Sequence, residues 1–210
     1  MNWEAILNIQ KKWYSLFDKK YNSKLRSKLR TNEFSIICSN CIGGVIYNRL
    51  GVQFQSPTIN QFMTDKDFMK FVCNLEHYLN ADLIETTGDG AHPCGLLDDI
   101  PIIFTHYNTA KEAIDAWNRR KKRINFNKLY IILFDTIDSE ITKSDILEFG
   151  KLNCANRIVL SKNTYPDIDY VFTIPTKKRD KNRHYMSKNI IGRRRYEGKW
   201  DFVKWINDGV

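Results

Sequence analysis

Cys41 stands where a chain would place a nucleophile. The run Phe34-Ser35-Ile36-Ile37-Cys38 is apolar and β-prone, Ser39-Asn40 breaks it, and Gly43-Gly44 leads into Val45-Ile46-Tyr47, a pattern of strand, tight turn and helix with Cys41 at the turn. A thiol at a helix start lies near unpaired backbone N–H groups and the positive end of the helix dipole, a setting that favours thiolate. Such a nucleophile needs a base and an orienter for that base. His106, delivered by the predicted strand Ile100–Thr105, is the best-placed histidine, and Asp99, Asp135 and Asn108 are the candidate orienters. The opposing reading is structural, with the cysteine a small buried hydrophobe and the histidine holding a turn.

Around this pair, backbone N–H groups at Gly43 and Gly44 are expected to hold an oxyanion, Arg119, Arg120 and Arg123 to grip phosphate, and Asn40 to contact substrate. His92 sits beside Asp89 in a Gly- and Pro-rich loop of the kind that often carries function, and is added as a substrate-binding candidate. Asp135 closes a predicted strand, where open α/β sheets bind ligands, and with Asp138 it offers a nucleotide-sugar alternative. Cys38 and Cys41 have C-x-x-C spacing, but Cys73, Cys94 and Cys154 supply no second pair for zinc. The chain has no HExxH, P-loop or GxGxxG motif, so no metal is expected and no cofactor is identified.

The elements that must position these residues follow from periodicity. Residues 1–30 read as a basic amphipathic helix, with a possible break near Asn22-Ser23. Segment 31–107 reads as an α/β lobe carrying the cysteine turn, a helix opened by Thr64 with Phe68, Phe71, Val72, Leu75, Tyr78 and Leu79 on its buried face, a strand over Ala81–Thr86, and the histidine strand. Segment 108–210 reads as a second α/β lobe: a helix opened by Thr109, a strand over Asn127–Phe134, a helix opened by Thr142 and stopped at Gly150, strands at Arg157–Leu160 and Asp169–Ile174, a basic loop, and a closing helix at Trp200–Ile206. Nearly continuous apolar strands alternating with helices imply a short parallel sheet.

Of 210 residues, 42% are hydrophobic and 13% aromatic, which excludes a disordered chain and allows a full core. The net charge of +9 is concentrated in residues 1–30 (+6), Arg119–Arg123 (+5) and 176–199 (+8), leaving the rest net acidic. A basic surface on an acidic body points to an anionic sugar or sugar-phosphate, or to an anionic membrane surface, as partner. Nucleic acid is disfavoured for want of a binding motif. No stretch is long and apolar enough to cross a bilayer, and the N-terminus lacks a secretory pattern, so a cytoplasmic, membrane-peripheral location is expected.

The ordered series Ser39-Asn40-Cys41, Gly43-Gly44, Tyr47, Leu50-Gly51, Ser56-Pro57-Thr58, Asn74-Leu75, Tyr78-Leu79, Pro93, Gly95, Asp99-Ile100, Phe104, His106-Tyr107, Trp117, Arg119-Arg120 and Arg123-Ile124-Asn125 resembles an uncharacterised bacterial family known by a domain-of-unknown-function number and labelled exopolysaccharide biosynthesis protein. The resemblance covers residues 33–175. It implies a two-lobe α/β protein with a place in cell-surface polysaccharide synthesis, and it puts Cys41, His106 and the Trp117–Asn125 segment among the shared motifs. The expected function is therefore that of a cysteine-dependent transferase or hydrolase acting on a phosphate- or acyl-bearing sugar intermediate. A non-catalytic assembly factor docking on membrane or on a pathway enzyme is the alternative.

Overall fold

The apolar run that opens the sequence reading forms β1 (Ser35–Cys38), and its neighbour in space is β5 (Leu129–Asp135), the longest continuously buried strand of the chain. In the computed structural model, which describes residues 3–88, 90–135, 138–174, 189 and 192–209 and side chains from residue 15 onward, these two are joined by β6 (Asn156–Ser161) and β7 (Val171–Thr173). The order is β1-β5-β6-β7, all parallel, with Ser35 opposite Leu129 and Cys38 opposite Ile132. A second, antiparallel sheet is built from β2 (Leu83–Thr86), β3 (Cys94–Leu97) and β4 (Ile100–Ile103). The expected α/β class, short parallel sheet and N-terminal helix are observed, and the antiparallel sheet is an addition to them.

Side-chain alternation along the parallel strands builds two cores, one on each face. Ile36, Cys38, Tyr130, Ile132, Phe134, Ile158 and Leu160 pack with α2 (Ile42–Leu50) and α7 (Phe202–Asp208). Ile37, Ile131, Leu133 and Val159 pack instead with α3 (Asp65–Cys73), α5 (Ala110–Lys121), α6 (Lys143–Phe149) and the inner face of the antiparallel sheet. Each fully buried aliphatic or aromatic side chain contributes about 1.5–3 kcal/mol. β1, from before residue 107, pairs with β5, from after it, and Trp117 packs edge-on to Phe71 at 6.0 Å between ring centroids. The parallel sheet and the core beside it thus draw on both of the expected lobes.

Local sequence signals account for most element ends. Thr64, Thr109 and Thr142 each accept a hydrogen bond from the backbone N–H three residues on, and Thr142 with Asp145 completes a capping box. Gly51 ends α2 at φ 68°, a left-handed conformation that glycine adopts without a Cβ penalty. Two details differ from expectation. α1 (Trp3–Lys28) runs unbroken through Asn22-Ser23, and the helix after Thr64 is interrupted at Asn74, so that α4 (Leu75–Asn80) is separate. The Gly- and Pro-rich loop that carries His92 gives way at Cys94 to β3, a strand not expected from the sequence. Gly95 is there because a Cβ would meet Phe104 Cζ at 2.6 Å and Leu83 Cδ1 at 2.9 Å; close strand packing, not a turn, requires the glycine. Asp89 and most of the basic stretch 176–199 lie outside the described residues, as do the side chains of Trp3 to Trp13.

Arg49, 4% exposed, locks α2 to the N-terminal helix and to the segment before α7. Its guanidinium donates to Asn22 Oδ1 (2.9 Å), to the Gly192 carbonyl (3.1 Å) and to Glu197, pairs with Asp18 and lies 5.0 Å from the centre of the Tyr21 ring.

Burial also sets an alkaline limit. It pushes the Cys38 thiol from an ordinary 9.0 up to about 12, and it raises Tyr47 and Tyr196 as well. All three release a proton more readily unfolded than folded, so the stability tied to them is whole at pH 8 and is lost as pH rises through the range 9 to 12 for Cys38. The midpoint of urea unfolding is expected to fall across that range, each retained proton adding a slope of about 1.4 kcal/mol per pH unit. Cys38→Ala is expected to flatten the slope between pH 9 and 11; an unchanged slope would assign the loss to other groups.

Candidate active site

β1 leaves the sheet at its carboxyl end, and Ser39 extends the pairing by one residue. Its N–H donates to the Ile132 carbonyl (3.2 Å), and its Oγ accepts from Phe134 N–H (3.0 Å). Asn40 then caps α2, its Oδ1 accepting from Ile42 N–H at 2.9 Å and from the Cys38 thiol at 3.4 Å. This side chain does the capping, so Cys41, which occupies the N-cap position itself, makes no capping bond with its own. The Cys41 side chain is exposed at the start of the helix.

The partner arrives on β4. Phe104 is buried, the chain turns with Tyr107 N–H donating to the Phe104 carbonyl (3.2 Å), and the exposed His106 ring projects from that turn. His106 Nε2 lies 3.9 Å from Cys41 Sγ. Catalytic hydrogen bonds are often long before substrate binds, and this separation is one that a small rotation closes. For Nε2 to accept the thiol proton, the ring must carry its own proton on Nδ1.

The other candidates are distributed differently. Asp99 is at the opposite end of β4, in the two-residue turn from β3, where its carboxylate takes the Tyr78 hydroxyl (2.9 Å) and the Lys70 ammonium. Lys70 and Tyr78 hold its carboxyl below the usual range, so it is an ion-paired turn residue away from the imidazole. Asp135 is 1% exposed, accepts from Ser161 Oγ (2.6 Å) and pairs with Lys162 (3.0 Å). Among the described residues, none bonds His106 Nδ1.

Gly43 and Gly44 are buried against the sheet and the loop before α3. A Cβ on Gly43 would stand 3.1 Å from Cys38 Cβ and 3.2 Å from Ile59 Cδ1, so close packing demands glycine here. The backbone of Asn40, Ile42 and Gly43 favours the Cys38 thiolate, but burial outweighs it and holds the thiol's pKa well above the ordinary value. Of the helix-start donors expected to serve Cys41, the Ile42 N–H is taken by Asn40 Oδ1, and Cys38 stays a neutral thiol at physiological pH. His92 is exposed in the loop before β3. Because Phe104 N–H bonds the Pro93 carbonyl (2.9 Å), this loop lies at the same end of the hairpin as His106.

The arginines of the 119–123 run part from one another. Arg119 is exposed on α5, Arg123 donates to the Phe54 carbonyl (3.3 Å), and Arg120 is only 8% exposed and donates inward. Arg120 Nη1 reaches both the Ile59 carbonyl (2.9 Å) and the Tyr107 hydroxyl (2.8 Å). Thr58, whose Oγ1 accepts from Cys38 N–H (3.3 Å), and Ile59 belong to the site's walls. Ile59 carried no signal in the sequence, and Thr58 only its place in the Ser56-Pro57-Thr58 motif of the resemblance. Among the described residues no three His, Cys, Asp or Glu side chains group as a metal site, and no helix is long and apolar enough to cross a membrane.

Residues 12–207 match the model of a domain of unknown function, DUF1919. A chain of Haemophilus influenzae described as an uncharacterized protein is 28% identical over 195 residues, which cover 89% of this chain and 90% of that relative.

Proposed function

The chain belongs to the DUF1919 family, and from that premise we propose that it is a cysteine-dependent acyl transferase or hydrolase acting on an acyl-bearing sugar intermediate of cell-surface polysaccharide synthesis. The observation that carries the chemistry is the exposed Cys41 thiol 3.9 Å from His106 Nε2, a nucleophile and a base supplied by separate elements. The acyl form of the substrate is favoured over the phosphate form because Arg120 and Arg123 already donate to backbone and hydroxyl oxygens of this chain. The polysaccharide context rests on the family resemblance alone.

In the reaction, Cys41 Sγ bonds to the acyl carbon while His106 takes the thiol proton. The adduct then breaks its bond to the sugar oxygen, which receives that proton from the imidazolium. Water or an acceptor hydroxyl next attacks the thioester, giving its proton to His106, and the thiol leaves reprotonated. The test uses p-nitrophenyl acetate as an activated acyl donor. One acetyl group on Cys41, located by peptide mass mapping and turning over with time, is the expected result. Acetylation spread over Cys73 and lysines, equal in Cys41→Ala, would sink the proposal.

A second reading is favoured by α1, where Leu16 is 66% exposed among the exposed Lys19, Lys20, Lys24 and Lys28. An apolar residue on a cationic helix suits an anionic lipid surface. Cosedimentation with phosphatidylserine vesicles is expected at low salt and to weaken sharply toward 0.5 M salt, where the screening length falls to roughly 4 Å. Binding indifferent to both lipid charge and salt would remove this reading.

A further inference from the structure

We infer that Arg120 is the positioning residue that sets the separation of Cys41 and His106, an inference that rests on reading the pair as nucleophile and base. A guanidinium buried to 8% exposure is costly unless its donors are matched. Here one nitrogen, Nη1, donates to two acceptors at 2.9 and 2.8 Å, and the group lies 5.1 Å from the centre of the Phe54 ring.

The two acceptors belong to the two arms of the site. Tyr107 is the residue after His106, and its hydroxyl fixes where that turn sits over α5. Ile59 presses on the start of α2: its side chain would stand 3.2 Å from a Cβ on Gly43 and 3.3 Å from one on Gly44, the second and third residues after Cys41. Arg120 therefore holds the histidine turn and the wall behind the cysteine helix from a single point on a third element. The neighbouring Arg123 props the same loop through the Phe54 carbonyl. Lysine lacks the guanidinium plane that lies over the Phe54 ring, so its ammonium cannot hold both acceptors and keep that contact.

The test follows the alkylation rate of Cys41 by iodoacetamide from pH 6 to 9, resolved from other thiols by peptide mapping, in the wild type and in His106→Gln, Tyr107→Phe, Arg120→Lys and Arg120→Met. Urea unfolding reports whether each variant is folded. Tyr107→Phe deletes one hydroxyl and keeps the ring, so it informs even where an Arg120 variant fails to fold. At pH 7, Tyr107→Phe and Arg120→Lys are expected to slow Cys41 about tenfold, toward the rate of His106→Gln, while the exposed Cys73 reacts as before. If folded Tyr107→Phe reacts like the wild type while His106→Gln is slow, the positioning role of Arg120 is overturned and the pair stands. If His106→Gln itself reacts like the wild type, the pair is overturned and the inference falls with it.

Discussion

Cys41→Ala is expected to abolish acetyl-enzyme formation and ester turnover, His106→Ala to slow both by about 10²–10⁴-fold, and the double variant to be no slower than Cys41→Ala alone. Groups that act as one unit lose their joint effect when either is removed, so the double-mutant cycle must be far from additive. The measurement is p-nitrophenol release in single-turnover and steady-state modes. Rates that multiply independently would show that the 3.9 Å proximity has no chemical consequence. Loss of fold would not mimic this result. The Cys41 side chain is exposed and makes no capping bond, since Asn40 supplies the cap, so Cys41→Ala should change stability by no more than about 0.5 kcal/mol.

Arg49→Met is expected to destabilise the fold by about 3–5 kcal/mol, the range for breaking a buried ion pair from one side. For a chain of this size, that lowers the melting temperature by roughly 6–20 °C. The cause is less the lost attraction than what is left behind. The Glu197 side chain is fully buried, its carboxyl is raised by burial even with Arg49 beside it, and Asp18 and Asn22 lose the same partner. Without Arg49, the folded-state pKa of Glu197 must rise further. The penalty is then absent below the ordinary carboxyl value of 4.5 and grows as pH rises above it, so the deficit should be largest at pH 7 and shrink toward pH 4.5. Arg49→Met/Glu197→Gln should recover part of the loss at pH 7. A single variant as stable as the wild type at pH 7 would mean that Arg49 bears none of this load.

The parts of the fold that could be read in the sequence are those governed by neighbours within a few residues. Thr64, Thr109, Thr142 and Gly51 act on backbone groups one turn away, and the apolar runs of β1 and β5 declare burial on both faces wherever they end up. β3 was not legible, because Gly95 is a loop signal in one dimension and a close-packing residue only once Phe104 and Leu83 lie against it. The division of labour within the arginine run was hidden for a related reason. Consecutive cations look alike along the chain, whereas the helix turns Arg119 outward and Arg120 inward, and only the loop at Ile59 and the hydroxyl of Tyr107 give the latter somewhere to go.

The sequence by itself determined that a cysteine stands at a strand–helix turn in an α/β chain, because strand periodicity, an Asx cap and a glycine pair are local forces. It also singled out His106 as the histidine at the end of a strand. Tertiary structure alone decided that the two rest 3.9 Å apart, although 65 residues separate them in the chain, and that Asp99 does not join them. These outcomes depend on how two sheets and a loop pack against one another, and no short-range propensity encodes the distance between side chains carried by different elements.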